Sequence, residues 1–305
     1  MSAPDWLWIP ITIFAALAQT LRNAAQRHLT ASLGTLGATL VRFLYGLPFA
    51  ALWLLAIKAV EGNPIPAPGL SFIAWIIFAS FAQIAGTALL LQAMAERNFA
   101  LGVAYAKTEV IQVAIFAFIV LGERVSLPVA VAIACGMAGV VLLSPVDRAH
   151  PIRSLVAGLG KRPALLGLAG GAGFGLSAVG YRAASLTFEG VSFVMSAATT
   201  LIGAQLVQTA MLGGWLLVRN RTIVINVLRA WRASLFAGAL GAAGSAAWFT
   251  AFTIEPIAHV RALGLIEIFF TLIVSRQFFR ERLRPLEVVG MGLLVASMAV
   301  VTLRG

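Results

Sequence analysis

Long apolar runs separated by short polar connections make up almost the whole chain. A helix that crosses a bilayer needs about 20 consecutive apolar residues, and glycine, proline and charged residues mark where such helices end. The pattern therefore predicts ten spanning helices, near residues 5–27, 33–58, 71–95, 99–121, 126–144, 164–186, 191–218, 232–253, 258–279 and 285–303. The connections between them are short, so we expect an all-α polytopic membrane protein with no soluble domain.

The second half of the chain repeats the first in register. From the third predicted helix onward, related residues lie 158 positions apart, and the central pair is Glu109 and Glu267. Near the start of the chain the offset is 155, as for Arg27 and Arg182. Each half holds five helices, an odd number, so the second half must enter the membrane in the opposite orientation. We expect two inverted five-helix repeats, at 1–145 and 164–305, joined by a loop at 146–163.

Composition agrees with a membrane protein. Of the 305 residues, 60% are hydrophobic and only 11% are charged, whereas soluble domains carry about 25% charged residues. The mean hydropathy is +0.95. The first eight residues lack the basic start and the cleavage site of a signal peptide, so we expect the first helix to be retained.

Catalytic and nucleic-acid-binding patterns are missing from the sequence. The net charge of +11 resides mainly in the short connections, where it orients the helices, so we expect no nucleic-acid partner. Two aspartates, three dispersed histidines and the single cysteine, Cys135, provide no group of residues for a metal site, a cofactor or a catalytic centre. We interpret the glycine-rich segment 165–181 as a surface for close helix packing.

Apart from charged residues at or next to the predicted span ends, six charged residues fall inside predicted spans, and we take these six as the main candidates for function. A charge near the bilayer centre costs at least ~2.5–3.5 kcal/mol, so such residues are expected to face a protein interior or a water-filled path. Two of them, Arg22 and Arg261, lie near helix ends, where a long side chain can also reach the membrane surface. Arg42 has the alternative role of a structural partner for a glutamate. The full set is Arg22, Arg42, Lys107, Glu109, Arg261 and Glu267.

The fourth predicted helix holds several of the candidate residues. Lys107 and Glu109 are two residues apart, which separates them by about 200° around a regular helix. We therefore expect only one of them to line a pathway, favour Glu109, and expect Lys107 to pair with a neighbouring helix. Tyr105, Glu109 and Gln112 share one helix face. Polar or aromatic side chains of other spans complete the candidate substrate site, with ordinary packing as the alternative for each: Gln83, Tyr181 and Trp248.

Two segments of similar pattern carry a resemblance to a known family. Residues 121–143, LGERVSLPVAVAIACGMAGVVLL, begin with a Gly-Glu-Arg exit and continue as an apolar helix, and residues 279–301, FRERLRPLEVVGMGLLVASMAVV, echo them. With ten helices in two repeats, the chain resembles the drug/metabolite transporter superfamily and, within it, the EamA-type permeases. The resemblance implies an all-helical carrier with a central cavity and alternating access. It fixes no substrate, because members carry amino acids, sugars, nucleotide precursors and drugs.

The sign of the intramembrane charge indicates the kind of substrate. Four basic residues against two acidic ones leave an excess of two positive charges, which suits a substrate with a carboxylate or another anionic group. The leading hypothesis is a secondary transporter of small zwitterionic or anionic metabolites, with export as the expected direction. Amino acids fit best, because their ammonium group would also use Glu109 or Glu267. A carboxylate removed from water takes up a proton more readily, so proton exchange is a candidate driving force, and uncoupled diffusion is the alternative.

Two other functions remain as alternatives. A cationic drug exporter would expose carboxylates without cationic neighbours. An intramembrane enzyme would need a nucleophile or a metal cluster near one membrane face, and the sequence shows neither. For the leading hypothesis, the expected partners are a small-molecule substrate, protons and the lipid bilayer, and the expected location is the inner membrane of the cell.

The basic connections predict how the protein is oriented. The expected 5–6, 7–8 and 9–10 connections hold twelve basic residues, and the opposite side holds three. Because lysine and arginine accumulate on the cytoplasmic side, both termini should lie outside the cytoplasm, although ten-helix relatives are commonly pictured with both inside. A reporter fused after Gly305 tests this orientation. We expect active alkaline phosphatase and dark green fluorescent protein at that site, and the reverse pattern would contradict the prediction.

Overall fold

The computed structural model describes residues 4, 6–96, 106–143, 162–270, 273 and 285–304. Every regular element within those ranges is a helix, in agreement with the apolar pattern. In the first half the helices are α1 Trp8–Leu44, α2 Leu47–Glu61, α3 Leu70–Glu96, α4 Glu109–Leu121 and α5 Leu127–Leu143. In the second half they are α6 Arg162–Ser185, α7 Phe193–Gln208, α8 Gly214–Arg219, α9 Arg221–Arg229, α10 Trp231–Ile254, α11 Ile257–Leu263 and α12 Pro285–Arg304.

Several of these helices have the length and composition of membrane spans. Four stretches of the described chain are long and apolar enough to cross a bilayer: Trp8–Glu61, Leu70–Ala93, Phe193–Arg219 and Trp231–Ile254. The first of them has 54 residues, which is more than twice what one crossing requires. The number of ten spans stays a prediction, because parts of the expected fourth and ninth helices lie outside the described residues.

The first connection lies later in the chain than the sequence pattern suggests. We expected a helix to end at residue 27 and the next to begin at 33, but α1 is helical through that region and breaks at Gly34. The backbone there has φ 68° and ψ 174°, a conformation that glycine adopts readily and that other residues adopt only with strain. The break at Gly34 divides the long segment Trp8–Glu61 into two arms.

The helices that carry the two central glutamates are both interrupted just before the glutamate. Lys107 and Thr108 form a turn, and α4 begins at Glu109. In the second half α11 ends at Leu263, a 3₁₀ turn spans Gly264–Ile266, and the helix resumes at Glu267. The prediction of unbroken helices over 99–121 and 258–279 is therefore wrong at these points. Interrupted helices of this kind often form the substrate sites of transporters.

The packing of the helices has a pseudo-two-fold pattern. α3 packs against α6, and α1 packs against α10, so that exchanging the two halves exchanges these two contacts. α5 pairs with α12, and α2 pairs with α7, each with its counterpart in the other half. The halves therefore interdigitate, and the space between them is lined by helices from both.

Glycines let α6 approach its neighbours at backbone distance. A Cβ atom on Gly173 would lie 2.8 Å from both the Ala82 carbonyl oxygen and the Gly86 Cα atom of α3. A Cβ atom on Gly171 would lie 2.8 Å from the Ala106 carbonyl oxygen, beside the turn that precedes Glu109. The glycine-rich segment thus serves close packing, and it holds α6 against the interrupted helix of the first half.

Candidate functional site

A buried cavity lies between the two halves, where α1, α3, α4, α6, α10 and α11 meet. Its volume is about 40 Å³, which is room for a few water molecules and less than an amino acid occupies. The sequence candidates that line it are Arg42, Gln83, Lys107, Glu109, Tyr181, Trp248, Arg261 and Glu267. Arg22, the sixth of the charged residues, lines it as well.

Two ion pairs cross this cavity from one half to the other. The Lys107 ammonium pairs with the Glu267 carboxylate. The Arg261 guanidinium lies 3.2 Å from the nearer oxygen of Glu109. All four side chains are largely buried, with exposed fractions between 4% and 13%. Each glutamate is therefore matched with a cation from the opposite repeat.

Lys107 and Glu109 both face the cavity, and the expectation that only one of them would do so is wrong. The 200° separation applies to a regular helix, and the turn at Lys107 and Thr108 interrupts the helix between them. The backbone N–H of Val110 donates to the Lys107 carbonyl oxygen, at 3.2 Å, a three-residue spacing that tightens the chain. The interruption thus brings an ammonium and a carboxylate to the same side.

Gln112 and Tyr105 are the remaining sequence candidates. The Gln112 amide donates to the Thr108 hydroxyl at 3.0 Å and to the Leu168 carbonyl oxygen of α6 at 3.4 Å. It fastens α4 to α6 and is absent from the cavity lining. Tyr105 lies outside the described residues.

Amide side chains of α1 surround Glu267. Gln19 donates to one carboxylate oxygen at 2.8 Å, and Asn23 donates to the other at 3.2 Å. The Trp248 indole donates to the Gln19 carbonyl oxygen at 3.0 Å, and Arg22 donates to the Asn23 carbonyl oxygen at 2.8 Å. Glu267 is thus the centre of a network that reaches from α1 to α10.

Two buried arginines have no carboxylate partner. Arg22 and Arg42 are 3% and 4% exposed, and within the described part of the chain no carboxylate lies within 4.0 Å of either guanidinium. Among the described residues, Arg42 donates only to the Thr87 hydroxyl, at 3.2 Å, and Arg22 only to the side-chain oxygen of the neighbouring Asn23. In the same part of the chain, the Nε and Nη1 atoms of Arg22 and the Nε atom of Arg42 find no hydrogen-bond acceptor.

The two arginines run side by side along α10. A Cβ atom built on Gly241 would lie 3.4 Å from Arg22 Cδ and 3.4 Å from Arg42 Cγ. Both side chains therefore lie next to Gly241, and both residues line the same cavity. Glu267 lies beyond Asn23 and is already paired with Lys107, so neither arginine has a carboxylate in direct contact within the described residues. Buried charges without a direct partner are costly, and this part of the cavity is therefore complementary to an anion.

Aromatic rings and amides form a further part of the cavity lining, which we call the aromatic wall. The Arg261 guanidinium lies 4.6 Å from the Trp248 ring centroid and 5.1 Å from that of Phe252. The Tyr181 hydroxyl donates to the Gln83 carbonyl oxygen at 3.1 Å, and Gln208 donates to the Tyr181 oxygen at 2.7 Å. This wall offers apolar surface with a few fixed hydrogen-bonding groups, the usual composition of a small-molecule site.

Corresponding positions of the two repeats line the cavity with different chemistry. At the offset of 155, Gln19 corresponds to Phe174 and Asn23 to Ala178, and all four line the cavity. The first half therefore supplies a polar, basic wall where the second half supplies a small or aromatic one.

The sequence analysis left several residues of the site out of its candidate set. Gln19, Asn23, Thr87 and Gln208 make the hydrogen bonds that fix the charged and aromatic groups. For α1 a signal was present, because polar residues recur at helical spacing through Gln19, Arg22, Asn23 and Gln26. Thr87 follows Ser80 and Gln83 at helical spacing in α3, and Gln208 follows Gln205 in α7, so a weaker signal of the same kind was present for both.

A second cluster ties the helices together beside the aromatic wall. Arg182 pairs with Glu123, and its guanidinium also donates to the carbonyl oxygens of Phe252 and Glu255, the latter at 2.7 Å. Glu123 accepts a further hydrogen bond from the backbone N–H of Ile257, at 3.1 Å. We call this cluster the Arg182 clasp. It joins the ends of α4 and α6 to the turn between α10 and α11, directly behind the cavity residues Tyr181 and Phe252.

The described residues contain no group of three or more histidine, cysteine, aspartate or glutamate side chains arranged to hold a metal ion. The chemistry of the cavity is therefore that of ion pairing, hydrogen bonding and aromatic contact. It is suited to binding a small polar molecule.

Comparison with known proteins gives the family. The model of the EamA-like transporter family matches the chain twice, over residues 6–144 and 161–303. A solved crystal structure shares the fold, with a TM-score of 0.71 and 15% identity over 100% of this chain and 97% of that chain. No curated protein matches. The two matched segments cover nearly the whole chain and describe transporters rather than enzymes, in agreement with the sequence analysis. The chain belongs to the EamA-like transporter family.

Proposed function

We propose that this transporter carries a small zwitterionic or anionic metabolite, with amino acids preferred, through the cavity between its halves. The observation that carries the proposal is the pair of buried arginines, Arg22 and Arg42, which lie together without a carboxylate. Guanidinium groups bind carboxylates through parallel, charge-assisted hydrogen bonds, and the free N–H groups of both arginines are available for them.

The two crossed ion pairs would accommodate the ammonium group of an amino acid. An ammonium could replace Lys107 beside Glu267, or Arg261 beside Glu109, without leaving a buried carboxylate unpaired. The displaced lysine or arginine could then follow the substrate's carboxylate. A bound zwitterion would thus give each displaced residue a new partner of opposite charge. This lowers the free-energy cost of breaking the buried ion pairs.

A cationic drug is a weaker candidate for the same cavity. Both carboxylates that line it are already paired with cations, and two further arginines add positive charge. A lipophilic cation would meet repulsion there, although the aromatic wall at Trp248 and Phe252 offers it cation–π contact. The excess of positive charge favours an anionic group.

Alternating access is the mechanism that we propose for this transport. The cavity of about 40 Å³ is smaller than the proposed substrates, so entry requires the halves to separate. The crossed ion pairs and the Arg182 clasp connect the halves and would have to open in turn. The helix interruptions before Glu109 and Glu267 supply points where the chain can bend.

We further propose the inner membrane as the location, export as the direction and proton exchange as the driving force.

Transport by the purified protein in proteoliposomes tests the substrate class. Wild-type protein should move amino acids in preference to a lipophilic cation such as tetraphenylphosphonium. Arg42→Gln should raise the substrate concentration needed for half-maximal transport about 10- to 100-fold, because a hydrogen bond to a charged group contributes about 1.5–3 kcal/mol and each 1.4 kcal/mol is tenfold.

Arg124→Gln serves as the control for this experiment, because Arg124 is exposed in the connection between α4 and α5 and should leave transport unchanged. Arg42→Lys keeps the charge but not the paired N–H geometry, and should be intermediate. Preference of the wild-type protein for the cation would contradict the proposal, as would normal amino-acid transport by Arg42→Gln.

Glu109→Gln should remove most transport while the protein still folds and enters the membrane. The change keeps the shape of the side chain but leaves Arg261 without its carboxylate, which adds a third unmatched positive charge to the cavity. The measurement is transport across a range of pH, with size-exclusion chromatography to show folding. Glu189→Gln, at an exposed position, is the control, and full activity of Glu109→Gln at every pH would assign Glu109 a structural role.

The Arg182 clasp should control entry from one side of the membrane. Arg182→Gln removes the charge that holds Glu123 and the two backbone carbonyl groups, so that end of the cavity should open more often. The probe is a cysteine at Ser177, a cavity residue close to the clasp, in a Cys135→Ala background. A membrane-impermeant thiol reagent applied from one side should label it several-fold faster in Arg182→Gln than in the parent.

Arg124→Gln is the matched control for the clasp, since it changes an exposed arginine next to Glu123 and should not alter the labelling rate. Equal labelling of Arg182→Gln and the parent from both sides would show that the clasp does not govern access. A rise from both sides at once would indicate general loosening of the fold instead.

A further inference from the structure

The short helix α9, Arg221–Arg229, lies between two long apolar segments and has three distinct faces. One face packs against α1: Val224 and Val227 are buried, and a Cβ atom on Gly37 would lie 3.5 Å from Val227 Cγ2. The Tyr45 hydroxyl donates to the Val227 carbonyl oxygen, at 3.2 Å. α9 is therefore fixed to the body of the protein at its C-terminal turn.

The outer face of α9 combines apolar and basic residues. Arg221, Ile225 and Arg229 follow one another at four-residue spacing and so form a stripe along the exposed side. Leu228 lies beside this stripe and is 53% exposed. The third face carries Thr222 and Asn226. A helix that exposes apolar residues beside arginines and has a polar side is typical of segments that lie in the plane of a membrane surface.

The helices on either side of α9 also expose apolar and basic residues. Large apolar side chains on the flanking helices are exposed where lipid is expected, among them Trp215, Val218, Trp231 and Phe236. Arg219 and Arg232 flank α9 and are exposed as well, with the Arg232 guanidinium 5.4 Å from the Trp231 ring centroid.

No acidic residue offsets this charge locally. The sequence between Glu189 and Glu255 contains no aspartate or glutamate, so the four arginines face outward with no carboxylate in their own segment. Arginine binds phosphate oxygens through paired N–H groups. Basic residues directly beside a membrane helix are attracted to anionic lipids.

We propose that α9 and its flanking residues form a binding surface for the headgroups of anionic phospholipids. Arg219, Arg221, Arg229 and Arg232 bind the headgroup phosphates, while Ile225 and Leu228 contact the upper part of the acyl chains. Because the Tyr45 hydroxyl holds α9 to α1, lipid bound there stabilises the packing of α9 on α1. The proposal does not rest on the substrate class proposed above, and its test uses no transport measurement.

The test is lipid binding by the purified full-length protein in a mild nonionic detergent. Phosphatidylglycerol and phosphatidylcholine with the same acyl chains are titrated separately. Binding is followed by native mass spectrometry, and the melting temperature is measured at each concentration. We expect wild-type protein to bind phosphatidylglycerol at least tenfold more tightly than phosphatidylcholine and to melt at a higher temperature with it.

Variants assign this preference to α9. The quadruple change R219Q/R221Q/R229Q/R232Q should abolish the tenfold preference, whereas the corresponding four changes to lysine should retain most of it. If the quadruple glutamine variant does not fold, the pairs R221Q/R229Q and R219Q/R232Q are used, and each should lower the preference at least threefold. K58Q/R124Q removes two exposed basic residues away from α9, one in the last turn of α2 and one in the connection between α4 and α5, and should leave the preference unchanged.

Four results would overturn the proposal. Phosphatidylcholine could bind as tightly as phosphatidylglycerol, or the glutamine variants could keep the wild-type preference. Inorganic phosphate at the same concentration could raise the melting temperature as much as phosphatidylglycerol does, which would indicate a general anion site rather than a lipid surface. A loss of preference equal to that of K58Q/R124Q would indicate only an effect of net charge and would also reject α9 as the site.

Discussion

The two ion pairs that cross between the halves, Lys107 with Glu267 and Arg261 with Glu109, hold the centre of this transporter together. In an interior with so little room for water, each charge depends on its partner, and removal of one leaves the other buried and uncompensated. The pairs therefore fix the positions of the interrupted helices and keep the cavity small. If the substrate passes through this cavity as proposed, it must offer these groups substitutes for the partners that they give up.

The sequence predicted the helical, duplicated fold because both depend on simple periodic information. Apolar runs long enough to cross a membrane, and a constant offset between related residues, can be recognised in a sequence without knowing how the helices pack. The interruption at Lys107 and Thr108 could not be predicted in the same way, since neither glycine nor proline marks it. In the second half Gly264 lies within the corresponding turn, so a glycine that signals a helix break was present there but not in the first half.

The candidate site was harder to predict than the fold, and the reason is geometric. The charged residues were recognisable one by one, because charge inside an apolar span is unusual. Their pairing depends on how the halves interdigitate, which no spacing within one helix records. Arg22 and Arg42 lie twenty residues apart in the sequence, and both lie beside Gly241 of a distant helix, a proximity that only the folded structure shows. The polar stripe that contains Gln19 and Asn23 could be recognised in the sequence, but its hydrogen bonds to Glu267 could not be inferred.

The different chemistry of corresponding cavity positions has an energetic consequence. In the alternating-access cycle proposed above, a perfectly duplicated sequence would make the inward-open and outward-open forms mirror each other, and their free energies would differ little. Here Gln19 and Asn23 of the first half correspond to Phe174 and Ala178 of the second, and all four line the cavity. If the two sides open in turn as proposed, these unlike positions would be hydrated differently in the two forms. The empty carrier would then have a preferred resting side.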